Sequence, residues 1–371
     1  MLKKLAFTLL LGAAFFAPQV ASAQSYNAPG SAAQAQQQST VVISTSNASI
    51  LASNIGSSLG SSLGSGFSGF GGGGFTGGTV TGGGAGNQPR GANLAPTSNT
   101  GVAMNSRESG RAAGAADKRF GAWLQGDYTS LEYNRTVLAF DGTAYSILGG
   151  LDYSVTDRFL VGLSLGYESA DITTTYNAGT LKGTGVGVTP FFGFALNNTW
   201  SLSGYANYTA LEYDMTRTGN TVRGSYDATR WFVGGGLDGN YAVGRFRLMP
   251  TVGVLYLEEK SDAYRESTGA NVAGSTTKLG RLSFGGSVGY AFDNLMPYVK
   301  LVGEYDFEHP DEVSIGNGQF TQVETFGGSA ALGVRFFGAG GISGHVEGGY
   351  KSLGREDLNV WNIGGRVRMA F

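Results

Sequence analysis

The sequence has 371 residues, of which 63 are glycine and none is cysteine, and its formal net charge is −2 with 14% charged residues. The lack of cysteine excludes a disulfide framework, and the near-neutral charge argues against nucleic-acid binding, which usually needs a concentrated basic patch. Beyond the N-terminus, no apolar run approaches the roughly 20 residues of a membrane-spanning helix.

Residues 1–23 have the organisation of a secretory signal peptide. A basic start (Met1–Lys4) precedes an apolar stretch (Leu5–Phe16) and a small-residue cleavage site (Ala21–Ala23). The apolar stretch is too short to span a bilayer. We therefore expect cleavage between Ala23 and Gln24, which exports the mature chain from the cytoplasm.

Residues 24–118 form a low-complexity segment that is low in charge and rich in Ser, Gly, Ala and Asn. Such a composition buries too little apolar surface to offset its ordering entropy, which favours a flexible linker. Within it, the apolar residues of 42–63 recur close to helical spacing, although each glycine there weakens a helix by about 1 kcal/mol. Two alternatives stay open for 42–63: a helix about 33 Å long, or more linker.

From residue 119 onward, apolar residues alternate with small or polar ones, which is the period of a β-strand. In one such segment, Tyr145, Ile147 and Leu151 share a face opposite Ser146 and Asp152. Twelve segments of this kind are predicted: 119–129, 142–155, 158–170, 183–197, 199–215, 226–243, 245–260, 276–292, 296–308, 323–337, 341–351 and 357–371. Short turns alternate with longer polar loops, which are predicted at roughly 130–141, 171–182, 216–225, 261–275 and 309–322.

An even strand count, with short turns and long loops in alternation, is typical of an outer-membrane barrel. Aromatic residues near the strand ends suit the two membrane interfaces. The alternative, a soluble sandwich, would have larger apolar faces and more charge on the others. We therefore predict an all-β membrane protein, a 12-stranded antiparallel up-and-down transmembrane β-barrel over residues 119–371, in the outer membrane of a Gram-negative cell. We expect a monomer in contact with outer-membrane lipid and lipopolysaccharide.

The polar strand faces are predicted to line the barrel lumen with charges of both signs: Asp152, Arg158, Glu168, Asp238, Lys300, Glu304, Arg335, His345, Glu347, Arg366 and Arg368. The chain has only two histidines. His345 shares its strand face with Glu347, which predicts a hydrogen bond in the lumen, and His309 lies in a polar loop. Neither histidine has the spacing of a catalytic or metal-ligand cluster, so we predict no enzymatic activity, no metal and no cofactor.

The last predicted strand keeps its alternation to the final residue. Its apolar face is Trp361, Ile363, Val367, Met369 and Phe371. With an even strand count, the start of the first strand and the end of the last one both lie on the periplasmic side. There Phe371 is expected to close the sheet against the first strand near Phe120, because no backbone group can stay unpaired in lipid. Such an aromatic-ended strand resembles the signal read by the outer-membrane barrel assembly machinery. We expect that machinery and periplasmic chaperones as partners.

Residues 119–371 resemble the autotransporter β-domain of type V secretion. The resemblance rests on "FGAWLQGDYTSL", on the hairpin "GTAYSILGGLDYSVTDRFLVGLSLGYESAD" and on the terminal "NIGGRVRMAF". It implies a twelve-stranded translocator that follows an N-terminal passenger and holds a helix in its pore, for which 42–63 is the candidate. The translocator would anchor and export the short segment 24–118. The alternative function is a structural barrel or narrow pore whose extracellular loops bind ligands or adhere.

Overall fold

The computed structural model describes residues 119–134, 139–309, 314–316, 319–320, 324–338 and 341–371. The predicted signal peptide (1–23), the low-complexity segment (24–118) and the candidate helix (42–63) lie outside the described residues. Within the described ranges, no helix is long and apolar enough to cross a membrane. A 3-10 turn lies at Thr175–Asn177.

Twelve long strands confirm the predicted count. We number them β1 to β12 in chain order: Phe120–Tyr133, Phe140–Ser154, Phe159–Thr174, Gly179–Ala195, Trp200–Arg217, Val222–Gly239, Phe246–Ser261, Ser275–Tyr290, Leu295–Glu308, Phe326–Phe337, Ile342–Leu353 and Leu358–Ala370. Tyr241–Val243 is a short strand that follows β6 and pairs antiparallel with β7. Short hairpins lie in two connections: Tyr264–Arg265 with Asn271–Val272 after β7, and Ser314–Gly316 with Gln319–Phe320 after β9.

Every long strand pairs antiparallel with its neighbours in sequence, and β12 pairs with β1, so the sheet closes on itself. At the seam, the backbone N–H of Phe120 donates to the carbonyl of Phe371 at 3.2 Å, and that of Phe371 donates to Phe120 at 2.9 Å. Closure pairs the backbone polar groups that lipid could not satisfy. The short turns lie at the end that holds the seam residues, the periplasmic end of such a barrel.

The outward faces carry an apolar band between two rows of aromatic rings. The periplasmic row includes Phe120, whose ring lies 4.7 Å from that of Tyr153. The extracellular row is a series of ring pairs on neighbouring strands: Tyr145–Tyr167, Trp231–Tyr256, Tyr305–Phe326 and Tyr350–Trp361. On β2 the interval from Tyr145 to Tyr153 matches the roughly 9–11 residues with which a tilted strand crosses a membrane.

Beyond the extracellular row, strands β1 to β6 continue and their two faces exchange character, and Val360 of β12 adds to the inward side. The outward face becomes charged and exposed, as at Glu132, Asp171 and Glu212. The inward face becomes a buried apolar set, which we name the outer apolar cluster: Leu131, Phe140, Ala144, Ala170, Ile172, Leu181, Leu211, Tyr213, Met215, Tyr226, Ala228 and Val360. This part, the extracellular extension, therefore has the polar outside and apolar inside of a water-soluble β-domain.

The extension corrects three predicted loops. Residues 130–141, 171–182 and 216–225 were expected to be long loops, but most of them belong to β1–β6, and the connections are only 134–139, 175–178 and 218–221. The charged outward residues give the extension a composition similar to that of loops, which is why the sequence indicated loops there. Packing of the inward residues against neighbouring strands keeps the hydrogen-bonded ladder intact, because burial favours β-structure more than local propensity does.

Candidate functional site

The lumen wall is the candidate functional site, and the predicted lumen charges project into it with one exception. Asp152, Arg366 and Arg368 are buried, Glu168 is nearly so, and Asp238, Lys300, Glu304, Arg335, His345 and Glu347 are half-buried on inward strand positions. Arg158 is exposed in the periplasmic turn 155–158, since β3 begins only at Phe159. His309 follows the extracellular end of β9. Among the described residues, no group of three or more His, Cys, Asp and Glu side chains could hold a metal ion.

Arg230 on β6 is the most buried arginine among the described residues of the wall, and the sequence did not indicate its ion pairs. Its side chain is 1% exposed and donates to both oxygens of Glu168 at 2.9 and 3.1 Å and to Glu259 at 2.8 Å. The hydroxyl of Tyr213 also donates to Glu259 at 3.2 Å. Glu168 lies three strands from Arg230 and reaches it over β4, where a Cβ at Gly185 would lie 3.1 Å from Glu168 Cγ. Glycine leaves the space that this contact needs.

A second group lies on β8 and β9 and includes the connection between β11 and β12. Arg281 contacts Glu304 at 2.8 Å and Asp306 at 2.6 Å. Arg355, in the connection, donates to Asp306 at 2.9 Å and to the carbonyl of Glu324 at 3.1 Å. These bonds hold the connection against the extracellular ends of β9 and β10.

Further pairs neutralise the wall towards the periplasm. Glu347 contacts Lys300 at 3.3 Å and Lys351 at 3.7 Å. Arg368 on β12 donates to both carboxylate oxygens of Asp152 on β2, at 3.0 and 2.5 Å. Buried ions are tolerated when each has an oppositely charged partner with good hydrogen-bond geometry. Most of the lumen carboxylates thus have cationic partners within the wall itself.

The lumen also has an apolar side that the sequence did not indicate. Inward residues of β1 to β8 form a second buried set, the inner apolar arc: Trp123, Leu148, Leu160, Phe191, Phe232, Leu255, Leu257 and Leu279. On β1 it begins at Trp123, next to the polar inward positions Gln125 and Asp127. Asp152, Glu168, Arg230 and Glu259 interrupt this apolar side, and the remaining ion-paired residues lie on β8 to β12 and in the connection after β11. The lumen wall is therefore amphipathic around its circumference.

The β7–β8 connection, residues 262–274, folds over the extracellular mouth. The Tyr264 ring stacks on Tyr226 at 4.9 Å, and Tyr226 stacks on Tyr213 at 5.2 Å, so the connection adds to the outer apolar cluster. The Glu266 side chain is 0% exposed and accepts two bonds from Arg217, at 2.9 and 2.5 Å.

Charge states at this mouth follow from the same contacts. Burial raises the pKa of Tyr264 to about 12, and the hydrogen bond to Glu266 raises the pKa of Arg217. At neutral pH, Tyr264 is therefore an uncharged phenol that can stack on apolar neighbours. Arg217 remains a cation that compensates the buried carboxylate.

A match to a family model identifies the family of this barrel. The family model described as the autotransporter β-domain matches residues 122–350, well over half of the chain. The chain belongs to the autotransporter β-domain family. No curated protein matches its sequence.

The fold of this autotransporter β-domain is similar to three solved structures. The translocator domain of autotransporter NalP from Neisseria meningitidis is 15% identical, with a TM-score of 0.57 over 70% of this chain and 90% of that one. The β-domain of the Bordetella autotransporter BrkA is 20% identical, with a TM-score of 0.55 over 68% and 100%. The transport unit of autotransporter AIDA-I from Escherichia coli is 15% identical, with a TM-score of 0.52 over 72% and 94%. At these identities the likeness concerns the fold.

Membership in the family confirms the predicted resemblance and fold class. An autotransporter β-domain is an outer-membrane translocator barrel and not an enzyme. The lumen described above is therefore the channel of a translocator domain, and its wall chemistry determines what it can hold.

Proposed function

We propose that this barrel anchors and exports its own N-terminal segment, residues 24–118, across the outer membrane. A signal peptide cleaved between Ala23 and Gln24 would first deliver the chain to the periplasm. The observation that carries the proposal is the match between the charge of the lumen and that of the segment. Residues 24–89 contain no Asp, Glu, Lys, Arg or His, and the lumen carboxylates are largely compensated by cations in the wall, as at Glu168 and Asp152.

Charge compensation matters because an ion taken out of water without a partner costs several kcal/mol. A wall whose carboxylates are mostly paired with its own cations offers no such partner to a cationic passenger. A segment of Ser, Asn, Gln and Gly can form hydrogen bonds with the wall and brings no charge of its own. Residues 24–89 of the exported segment are thus suited to this lumen by the absence of Asp, Glu, Lys, Arg and His.

The same wall suits residues 42–63 as a helix inside the lumen. A helix about 10–12 Å across would nearly fill a twelve-stranded barrel, which is intermediate between filled eight-stranded barrels and aqueous porins. Apolar residues of this segment, such as Ile55 and Leu59, would contact the inner apolar arc. Its serines and asparagines would face the ion-paired wall of β8 to β12.

Assembly and environment follow from the outward face of the barrel. We infer that the outer-membrane barrel assembly machinery recognises β12 through Trp361, Ile363, Val367, Met369 and Phe371, which lie exposed on its lipid face. Periplasmic chaperones would hold the chain before insertion. The inserted monomer would contact lipopolysaccharide around the extracellular row of aromatic rings.

Protease treatment of intact cells tests export directly. With an epitope placed after Gln24, external protease should remove the epitope from intact cells and leave the barrel. A periplasmic marker protein serves as the control for membrane integrity. Cleavage that occurs only after the outer membrane is permeabilised would place the segment in the periplasm. The remaining candidate would then be a structural barrel whose extracellular connections bind ligands, which the fastened connections at Glu266 and Arg355 support.

A charge placed in the segment tests the mechanism. Ser57→Lys should reduce the fraction of segment at the surface severalfold, because most lumen carboxylates already have cationic partners and would leave the lysine unpaired. Ser57→Gln, which is long and polar but uncharged, should export normally. Equal surface display of the two variants would contradict the role of charge.

Deletion of residues 24–118 tests whether the segment occupies the lumen. In planar bilayers the full chain should conduct weakly, and the deletion should raise conductance severalfold. Unchanged conductance would show that the segment lies outside the lumen.

A further inference from the structure

Charged side chains on β8, β9 and β11 face the lumen and are partly exposed to water. The side chains of Lys300, Glu347 and Lys351 are 20%, 17% and 16% exposed. Nearer the extracellular rim, those of Arg281 and Glu304 are 16% and 14% exposed. The outward faces of these strands meet lipid, so the water that reaches these charged groups is water inside the lumen.

Inward polar side chains on β1 to β5 are enclosed instead. Ser164, Thr189 and Thr209 on β3, β4 and β5 are each 2% exposed. Gln125 and Thr129 on β1 are each 3% exposed. Among the described residues, water is therefore distributed unevenly in the lumen, and it reaches the wall formed by β8 to β11.

Residues with little or no side chain line the wall beside these exposed charges. Gly236, Gly253 and Ser283 are direct neighbours across β6, β7 and β8. Closer to the periplasm on β8, Ser287 lies opposite Lys300. The glycines and serines of this group are half-buried and alternate with lipid-facing residues, so they face the lumen. Their small size leaves room for water that longer side chains would displace.

The accessible positions form a continuous series along the lumen. Successive inward residues of β9 and β11 are half-buried: Lys300, Val302, Glu304, Ser343, His345 and Glu347. Those of β9 lead towards the extracellular end, and those of β11 lead away from the periplasmic end. The two series meet where Lys300 contacts Glu347 at 3.3 Å. Water thus has access at each level of this wall.

We propose that a narrow aqueous passage runs along β8 to β11 and conducts water, small ions and small uncharged polar solutes across the outer membrane. Its charged groups are already paired, as Lys300 is with Glu347. Paired charges keep the wall hydrated and do not hold a passing ion tightly, which conduction requires. The passage is an activity separate from the export of residues 24–118.

A single introduced cysteine tests access to the passage, because the chain has no cysteine of its own. In the purified, folded full chain, Ser287→Cys should react with a small water-soluble methanethiosulfonate reagent. Ser164→Cys is the matched control, since Ser164 also faces the lumen but is 2% exposed, and it should react at least tenfold more slowly. If Ser287→Cys does not yield a heat-modifiable barrel, Ser283→Cys replaces it. Equal rates for the β8 variant and the control, or no reaction of the β8 variant, would overturn the proposal.

Planar-bilayer currents test conduction through the same variants. The full chain should carry a small steady current. Modification of Ser287→Cys should lower that current severalfold, because the added group narrows the passage beside Lys300. The same reagent should leave the currents of wild type and Ser164→Cys unchanged. A full chain without current, or a Ser287→Cys current that survives modification, would contradict conduction along β8 to β11.

Liposome swelling tests the size of the solutes. Vesicles that contain the full chain should swell in isosmotic glycine and should not swell in isosmotic raffinose, and vesicles without protein serve as the control. Absence of swelling in glycine would refute the passage of polar solutes. Swelling in raffinose would show that the passage is wide, against the proposal.

Discussion

Replacement of Arg230 by methionine should destabilise the barrel by about 3–5 kcal/mol. Removal of one partner from a buried ion pair costs this much because the other charge stays buried and unpaired. Here Arg230 is 1% exposed and contacts two carboxylates, Glu168 and Glu259, at 2.8 to 3.1 Å. Methionine retains much of the apolar stem and loses only the cation and its donors. The expected loss therefore reports on charge rather than on a cavity.

A compensated variant separates charge from packing. In the triple variant Arg230→Met, Glu168→Gln, Glu259→Gln no ionised group remains at the site, and replacement of a whole buried ion group by neutral residues is often close to neutral. We expect it to recover most of the stability that the single substitution loses. Urea unfolding of the barrel in lipid vesicles, followed by tryptophan fluorescence and by mobility of unboiled samples on gels, measures both values.

The control is Arg223→Met, since Arg223 is exposed on the outward face of the same strand. A surface change of this kind should stay within about 0.5 kcal/mol. The reasoning fails if Arg230→Met lies within about 1 kcal/mol of wild type. It also fails if the triple variant is no more stable than the single one.

Three further predictions concern the seam, the register and the extracellular mouth. Phe371→Asp places a charge at the strand seam and should lower the amount of heat-modifiable barrel in membrane fractions; a normal amount would contradict this. Leu301→Arg should lower the free energy of unfolding by about 2–4 kcal/mol because residue 301 faces mid-membrane lipid. Lys300→Arg keeps its lumen ion pair and should be nearly neutral, and equal losses for both variants in unfolding experiments would show that the assigned faces are wrong. Glu266→Gln should weaken the bond that fastens the β7–β8 connection and speed trypsin cleavage after Arg265 severalfold on intact cells, with unchanged cleavage as the contrary result.

Strand number, direction and membrane-facing residues could be predicted from the sequence because side-chain alternation is a local property of the backbone. Tyr145, Ile147 and Leu151 face outward in the barrel as their spacing predicts. Leu301 and Lys300 likewise lie on opposite faces. The same alternation placed most of the predicted lumen charges on inward positions.

Positions near strand ends were less predictable, because a polar residue can serve equally in a turn or in a wall. Arg158 is such a case: it alternates correctly with its neighbours, but β3 begins one residue later and leaves it exposed. The extracellular extension is a larger case. Leu211 and Glu212 show that the strand continues beyond the membrane with apolar side chains inside and charged ones outside. The alternation has the same period in lipid and in water, so it does not indicate where the strand leaves the membrane.

The contacts that define the lumen were decided by the tertiary structure alone. Arg230 meets Glu168, 62 positions away in sequence, only because the closed sheet bends their strands around one interior. Arg335 and Arg366 lie on either side of His345 because two strand registers align them. Sequence period determines which face a side chain takes, and barrel closure determines which distant side chains share that face, since closure depends on the pairing of all twelve strands at once.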